Sequence, residues 1–195
     1  MIKLNKSGPA IFMYIIILIT LITSIICFYL YYCNINKAGI ILWIGITAFT
    51  IMYHFWMRII MGNVSKIFKK NINYNQWWFK EKSFEKKLYK FLRVKRWKKK
   101  ALTYNPELFS LKHHFLEEIA NTMVKSEIDH WINEVISLST LLFAIWWGEF
   151  WIFLITAIFA MIFDSQFIII QRYNRPRVVK LIEKKKDTLV KVGKY

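Results

Sequence analysis

The chain has 195 residues, is 56% hydrophobic and carries a formal charge of +17, a length at which one domain over residues 1–195 is expected. Aromatic residues make up 18% of it, nine of them Trp, which is heavy for a soluble domain and suits belts at a membrane interface. A basic, soluble nucleic-acid binder is excluded by several apolar runs of about 20 residues, for which such a protein has no use. Residues 10–33, "AIFMYIIILITLITSIICFYLYYC", predict a first membrane-spanning helix. Its apolar part is too long for a secretory signal, and no small-residue cleavage pattern follows. Cys27 and Cys33 both lie in it and form neither a disulfide framework nor a zinc pattern. Residues 38–62, "AGIILWIGITAFTIMYHFWMRIIMG", predict a second span.

The segment 63–130 is crowded with Lys and Arg. Within it, "QWWFKEKSFEKKLYKFLRVKRWKKK" places Phe84, Leu88 and Phe91 at helical spacing with Lys between them and Trp at both ends. That pattern predicts an amphipathic helix in the headgroup plane, serving either to anchor the protein or to bind substrate. His113 and His114 fall in a loop before a helix over about 115–130, and their surroundings hold no ligand set for a metal. A third span is predicted over 131–147 and a fourth over 149–170, joined through "WWGEF" as a tight antiparallel hairpin. The fold class is therefore all-α integral membrane, with four transmembrane helices in two hairpins, an interfacial amphipathic helix and a cytoplasmic helical segment. Basic residues concentrate at the start, over 63–130 and in the tail 171–195, so both termini and the middle segment are expected on the cytoplasmic side of the cell membrane.

Polar residues stand out against this background. His54 and Arg58, at i and i+4, share one face of the second span. They lie roughly 12 and 6 Å from its cytoplasmic end at about 1.5 Å per residue. Asp164 and Gln166 sit at a similar depth in the fourth span. In "SEIDHWINEVISLST", Glu127, His130 and Glu134 occupy i, i+3 and i+7, one stripe of the helix entering the third span. Asp129 points away from that stripe and is expected to be solvated. Intramembrane charges face a bundle interior or wet cavity, so Arg58 is expected to pair with Asp164 or Glu134. His130, with the Glu127 carboxylate one turn away to orient it, has the makings of a general base. After the fourth span, "QRYNRPR" places Gln171, Arg172, Tyr173, Asn174, Arg175, Pro176 and Arg177 at the headgroup level. Pro176 is expected to stop the helix there. The arginines suit lipid phosphates or the phosphates of an acyl carrier equally.

"RVKRWKKK", "SEIDHW" and "FIIIQRYNRPR", in that order over roughly residues 85–180, resemble the glycosyl-4,4′-diaponeurosporenoate acyltransferase family. The resemblance implies transfer of an acyl chain to a glucose hydroxyl on a C30 carotenoid, the last step toward staphyloxanthin-type pigments. It carries over Glu127, His130 and Trp131, then Gln171, Asn174, Arg175, Pro176 and Arg177, then Arg93, Arg96 and Trp97. The expected catalytic set is His130, Glu127, Arg58 and His54, with oxyanion stabilisation from Arg58 or from a donor of Asn174–Arg175. The expected substrate-binding set is Asn174, Arg175, Arg177, Gln171, Trp131, Asp164, Arg93, Arg96 and Trp97. No metal and no permanent cofactor is expected. The co-substrate is an acyl thioester, acyl-CoA or acyl carrier protein, and the other partners are membrane lipids and a lipidic glycosylated acceptor. A non-catalytic lipid-binding or assembly protein is the alternative; a transporter is disfavoured because polar groups confined to one leaflet supply no path across.

Overall fold

The computed structural model describes residues 8–68, 72–101 and 106–192, and among these it is helical throughout, with no strand. Helix α1 covers Gly8–Tyr32 and α2 covers Gly39–Phe68. Short helices α3 (Glu85–Phe91) and α4 (Val94–Trp97) follow, then α5 (Leu116–Ser139), α6 (Ala144–Trp147) and α7 (Phe150–Val192). Among the described residues, three helices are long and apolar enough to cross a membrane, over Ile11–Tyr32, Gly39–Val64 and Phe150–Val190. Contacts divide the chain into two compact units, residues 1–65 with 132–164, and residues 66–131 with 165–195.

In the first unit α1 and α2 approach closely at Gly45, where an added Cβ would stand 3.0 Å from the Cys27 Cβ and 3.1 Å from the Phe28 ring. Without a driving force between apolar surfaces in lipid, small residues that let backbones meet are what hold such helices together. Thr20, Thr23, Thr50 and Thr156 return their hydroxyls to carbonyls four residues back, so these four donors are satisfied within their own helices. An aromatic cluster closes one end: the Trp147 ring lies 5.6 Å from Phe28, 5.1 Å from Phe49 and 6.0 Å from Phe153. Trp43 adds a hydrogen bond from its indole N–H to the Glu149 carboxylate at 3.0 Å.

The expected third span, 131–147, is not one continuous helix. It comprises the end of α5, a 3-10 turn at Thr140–Phe143 and α6. The cause is local: the Ser139 hydroxyl donates to Ile136 O and the Thr140 hydroxyl to Ser137 O, both at 2.7 Å. Side-chain donors reaching the carbonyls three residues back tighten the turn and interrupt the regular ladder. Gly148 then ends α6 in the left-handed conformation, φ 70°, with its N–H on Ala144 O at 2.8 Å.

In the second unit, the segment expected as one amphipathic helix is broken. The αL conformation of Arg93, φ 50°, separates α3 from α4. Glu85, Tyr89 and Val94 are buried, so the segment packs into its unit on that side, while Phe84, Leu88 and Phe91 remain exposed. Pro176 does not stop α7, which runs on to Val192. Proline removes one ladder hydrogen bond, from its own N to the Arg172 carbonyl. The helix runs on with Arg172 and Arg175 tied to neighbouring elements just before the proline, and beyond it the Arg177 guanidinium donates to the Tyr173 carbonyl. At 43 residues α7 is roughly twice as long as a hydrocarbon core of about 30 Å requires. Its composition places the apolar part over 150–170 and the basic part beyond.

Candidate functional site

The second unit is organised around four charges, of which Glu85, Glu127 and Arg175 are buried and Arg172 is half-buried. Glu127 on α5 is 0% exposed and Arg175 on α7 is 2% exposed, so neither can be left uncompensated. Arg175 donates from Nη1 to Glu127 Oε2 at 2.5 Å, and from Nε and Nη2 to the Phe79 carbonyl at 3.1 and 2.8 Å. Arg172 donates to Glu127 Oε1 at 2.7 Å and, from Nε, to Glu85 Oε1 at 2.8 Å. The Tyr89 hydroxyl donates to the other Glu85 oxygen at 2.8 Å. Burial, then this bond to a carboxylate, push the Tyr89 phenol up from its ordinary value. Two guanidinium groups and two carboxylates thus cancel one another, and they join α3, α5 and α7.

This arrangement changes what Glu127 does. Its oxygens hold Arg172 and Arg175, with a longer contact from the Trp131 indole at 3.4 Å, so its direct partners are those groups. His130 instead stacks on Phe167 of α7, ring centroids 4.7 Å apart and planes within 8°. Arg175, offered as an oxyanion donor, has all three nitrogens engaged, and Asn174 accepts from the Lys98 ammonium at 2.6 Å. Gln171 is buried and donates to Ser126 at 3.4 Å, while the Trp97 indole donates to the Leu92 carbonyl at 2.9 Å. Arg177 lies over the Tyr173 ring at 3.8 Å, and Arg93 and Arg96 are exposed. Asp129, expected to be solvated, is half-buried. His114 meets Glu118 at 3.2 Å, and the described residues hold no group of His, Cys, Asp and Glu suited to a metal.

The first unit holds a separate polar cluster. Arg58 and Asp164 form the ion pair that their common depth suggested, and Asn133 donates to the second Asp164 oxygen at 3.2 Å. His54, 4% exposed, has its Nδ1 3.5 Å from the Ser137 hydroxyl. His54 Nε2 and Arg58 Nε find no hydrogen-bond partner among the described residues. Glu134 is buried in the same unit. Thus Arg58, His54 and Asp164 come together in one unit, and His130 belongs to the other.

Glu85 and Arg172 are the members of the charged network that sequence reasoning missed. Arg172 stood inside the motif without a role, and Glu85 looked like one more charge in a Lys-rich run. The signal available was that "KSFEKKLYKF" sets Glu85 and Tyr89 at i and i+4, where a phenol can reach a carboxylate.

Three helices of membrane-crossing length and a buried, self-neutralised charge network define an all-helical, membrane-associated protein. Its network residues and the basic segment before them all fall within residues 75–184, which match the model of one family. The chain belongs to the glycosyl-4,4′-diaponeurosporenoate acyltransferase family, and it is an acyltransferase of carotenoid biosynthesis. No curated protein and no solved structure matches it significantly.

Proposed function

We propose that the protein transfers a fatty acyl chain from a thioester, acyl-CoA or acyl carrier protein, to a sugar hydroxyl of a glycosylated carotenoid or similar glycolipid, with His130 as general base. The observation that carries this reading is the extent of the family match. Residues 75–184 include His130 and the arginine motif and leave out His54 and Arg58. Groups that perform a reaction common to a family belong in the part its members share.

In the proposed step an imidazole nitrogen of His130 takes the hydroxyl proton as the sugar oxygen attacks the thioester carbonyl. The C–O bond forms, the tetrahedral intermediate collapses, the C–S bond breaks, and the leaving thiolate takes the proton back from the imidazolium. Stacking on Phe167 fixes the plane of the ring, so its nitrogens are aimed before substrate arrives. Glu127 supports this as a positioning residue: by holding Arg172 and Arg175 it fastens α5 to α7 one turn from His130. The proposed arrangement is multi-pass with both termini cytoplasmic, as the distribution of Lys and Arg supports. The broken segment 131–147 would turn at Gly148 and run back along α7, a hairpin supported by the Phe143–Phe153 and Trp147–Phe153 contacts.

The test is acyl transfer by protein in nanodiscs, with acyl-CoA and acyl carrier protein offered in turn and a glucosylated carotenoid as acceptor, followed by mass spectrometry of the ester. General-base catalysis contributes about 10²–10⁴-fold, and His130→Ala should lower kcat/KM by that order while the protein remains folded in the membrane. Normal turnover by this variant would remove His130 from the mechanism.

A further inference from the structure

A second feature of the matched region is a cavity of about 550 Å³ between α3, the turn and helix that follow it, and residues 173–180 of α7. Lys86 and Lys90 line it from one face of α3. Arg93, Lys95 and Arg96 enter from the turn and α4, and α7 contributes Arg177 and Lys180. Glu81 is the carboxylate in this lining, and it is already paired with Lys86 at 3.8 Å. The other nearby acid, Glu85, is committed to Arg172 and Tyr89. The cations therefore face one another with little compensation, and a polyanion is what relieves such crowding.

Two geometric observations, at Tyr173 and at Arg93, show that the cavity is built rather than merely basic. The Tyr173 ring carries Arg177 at 3.8 Å on its centroid and Lys98 at 4.7 Å, and it meets Tyr89 edge-on at 5.3 Å, so the charges are held on a packed aromatic base. Burial first, and Arg177 and Lys99 close by second, lower the Lys98 ammonium from its ordinary value. Arg93 is one of two non-glycine residues with positive φ among those described. A bulky residue persists in that conformation where its surroundings enforce it, and such positions cluster at ligand clamps.

We propose that this cavity holds the phosphates of a coenzyme A thioester, the diphosphate and the 3′-phosphate, so that coenzyme A is the donor carrier. The inference rests on the acyl-transfer reading and names its co-substrate. Arginine forks meet phosphate oxygens bidentately, and several of them together suit a ligand with phosphates at two ends of a ribose. The volume is that of a small-molecule site of roughly 300–1,000 Å³. An acidic carrier protein would instead call for a broad basic face.

The experiment is equilibrium dialysis of free coenzyme A and of dephospho-coenzyme A against the full chain in phosphatidylcholine nanodiscs. Coenzyme A should bind, dephospho-coenzyme A at least tenfold more weakly, and Arg177→Gln and Arg93→Gly should each weaken coenzyme A binding by about 10–100-fold. Glycine accepts the conformation at position 93 without strain, so Arg93→Gly should not lower Tm, which separates lost binding from lost folding. Equal binding of the two nucleotides, no binding, or variants that bind like the parent would overturn the proposal. So would displacement of coenzyme A by phosphatidylglycerol in the nanodisc, which would assign the cations to lipid phosphates. Binding needs no turnover: an ester that still forms from acyl carrier protein while coenzyme A fails to bind would sink the donor and spare the acyl-transfer reading.

Discussion

Glu127→Gln is the most informative single change, because it keeps the shape of the buried network and removes one charge. In the parent, Arg172 and Arg175 are balanced by Glu85 and Glu127, whose side chains are 4% and 0% exposed. The variant leaves one guanidinium charge uncompensated and turns an amide N–H₂ toward donors. Breaking a buried pair from one side costs about 3–5 kcal/mol. A domain of this size loses about 2–4 °C per kcal/mol, so Tm in nanodiscs should fall by about 6–20 °C. The control is the cycle through Arg175→Met. That change alone strips Glu127 and the Phe79 carbonyl of a donor, and combined with Glu127→Gln it restores neutrality. The double variant should be less damaged than the sum of the singles by about 0.5–3 kcal/mol, the range for groups in one network. A single variant that melts within about 2 °C of the parent, or strict additivity in the cycle, would refute the network as the keystone of this unit.

Tyr89→Phe tests the same network through pH. Because the folded phenol titrates above its ordinary 10.0, its contribution to stability is fully present below that pH and is lost as pH rises past it. The parent should therefore lose stability above about pH 10 by a term that Tyr89→Phe lacks, readable as a difference between two alkaline Tm profiles, and superimposable profiles would contradict it. In the first unit Asp164→Asn should destabilise by several kcal/mol, because it leaves Arg58 charged in apolar surroundings. The double change Arg58→Met with Asp164→Leu should recover most of that loss in Tm. A double variant as damaged as Asp164→Asn would show that the pair does more than balance charge.

The long helices were legible because length and apolar composition alone specify them: spans read as 10–33 and 38–62 correspond to α1 at Gly8–Tyr32 and α2 at Gly39–Phe68. The Arg58–Asp164 pair was legible because depth along a helix converts sequence position into height, and groups at one height can meet. The break at Thr140 was not, because hydropathy does not register where a hydroxyl goes, and two such hydroxyls changed the ladder. The charged network was hidden for a different reason. Arg172 reaches Glu85 across 87 positions and Glu127 across 45, and no local spacing announces partners so far apart. The Glu127–His130 spacing was the misleading signal. It fits a base with its orienting acid, yet a buried carboxylate goes to the strongest donors available, and here those are two guanidinium groups.

The motif "QRYNRPR" gains its sense from helical geometry once these partners are known. At about 100° per residue, Gln171, Arg172 and Arg175 fall within one sector of α7, and Tyr173, Pro176, Arg177 and Lys180 fall on the opposite one. The first sector carries the buried network and the bond to Ser126; the second lines the cation-rich cavity. One short stretch of α7 therefore fastens its unit with one face and presents charge with the other, which explains why it continues through Pro176 instead of ending there. A helix that stopped at 176 would keep the fastening residues and lose Arg177 and Lys180 from the cavity wall. The two faces should then separate in experiment. Changes at 172 or 175 lower Tm, and Lys180→Gln lowers affinity for the phosphate ligand at constant Tm.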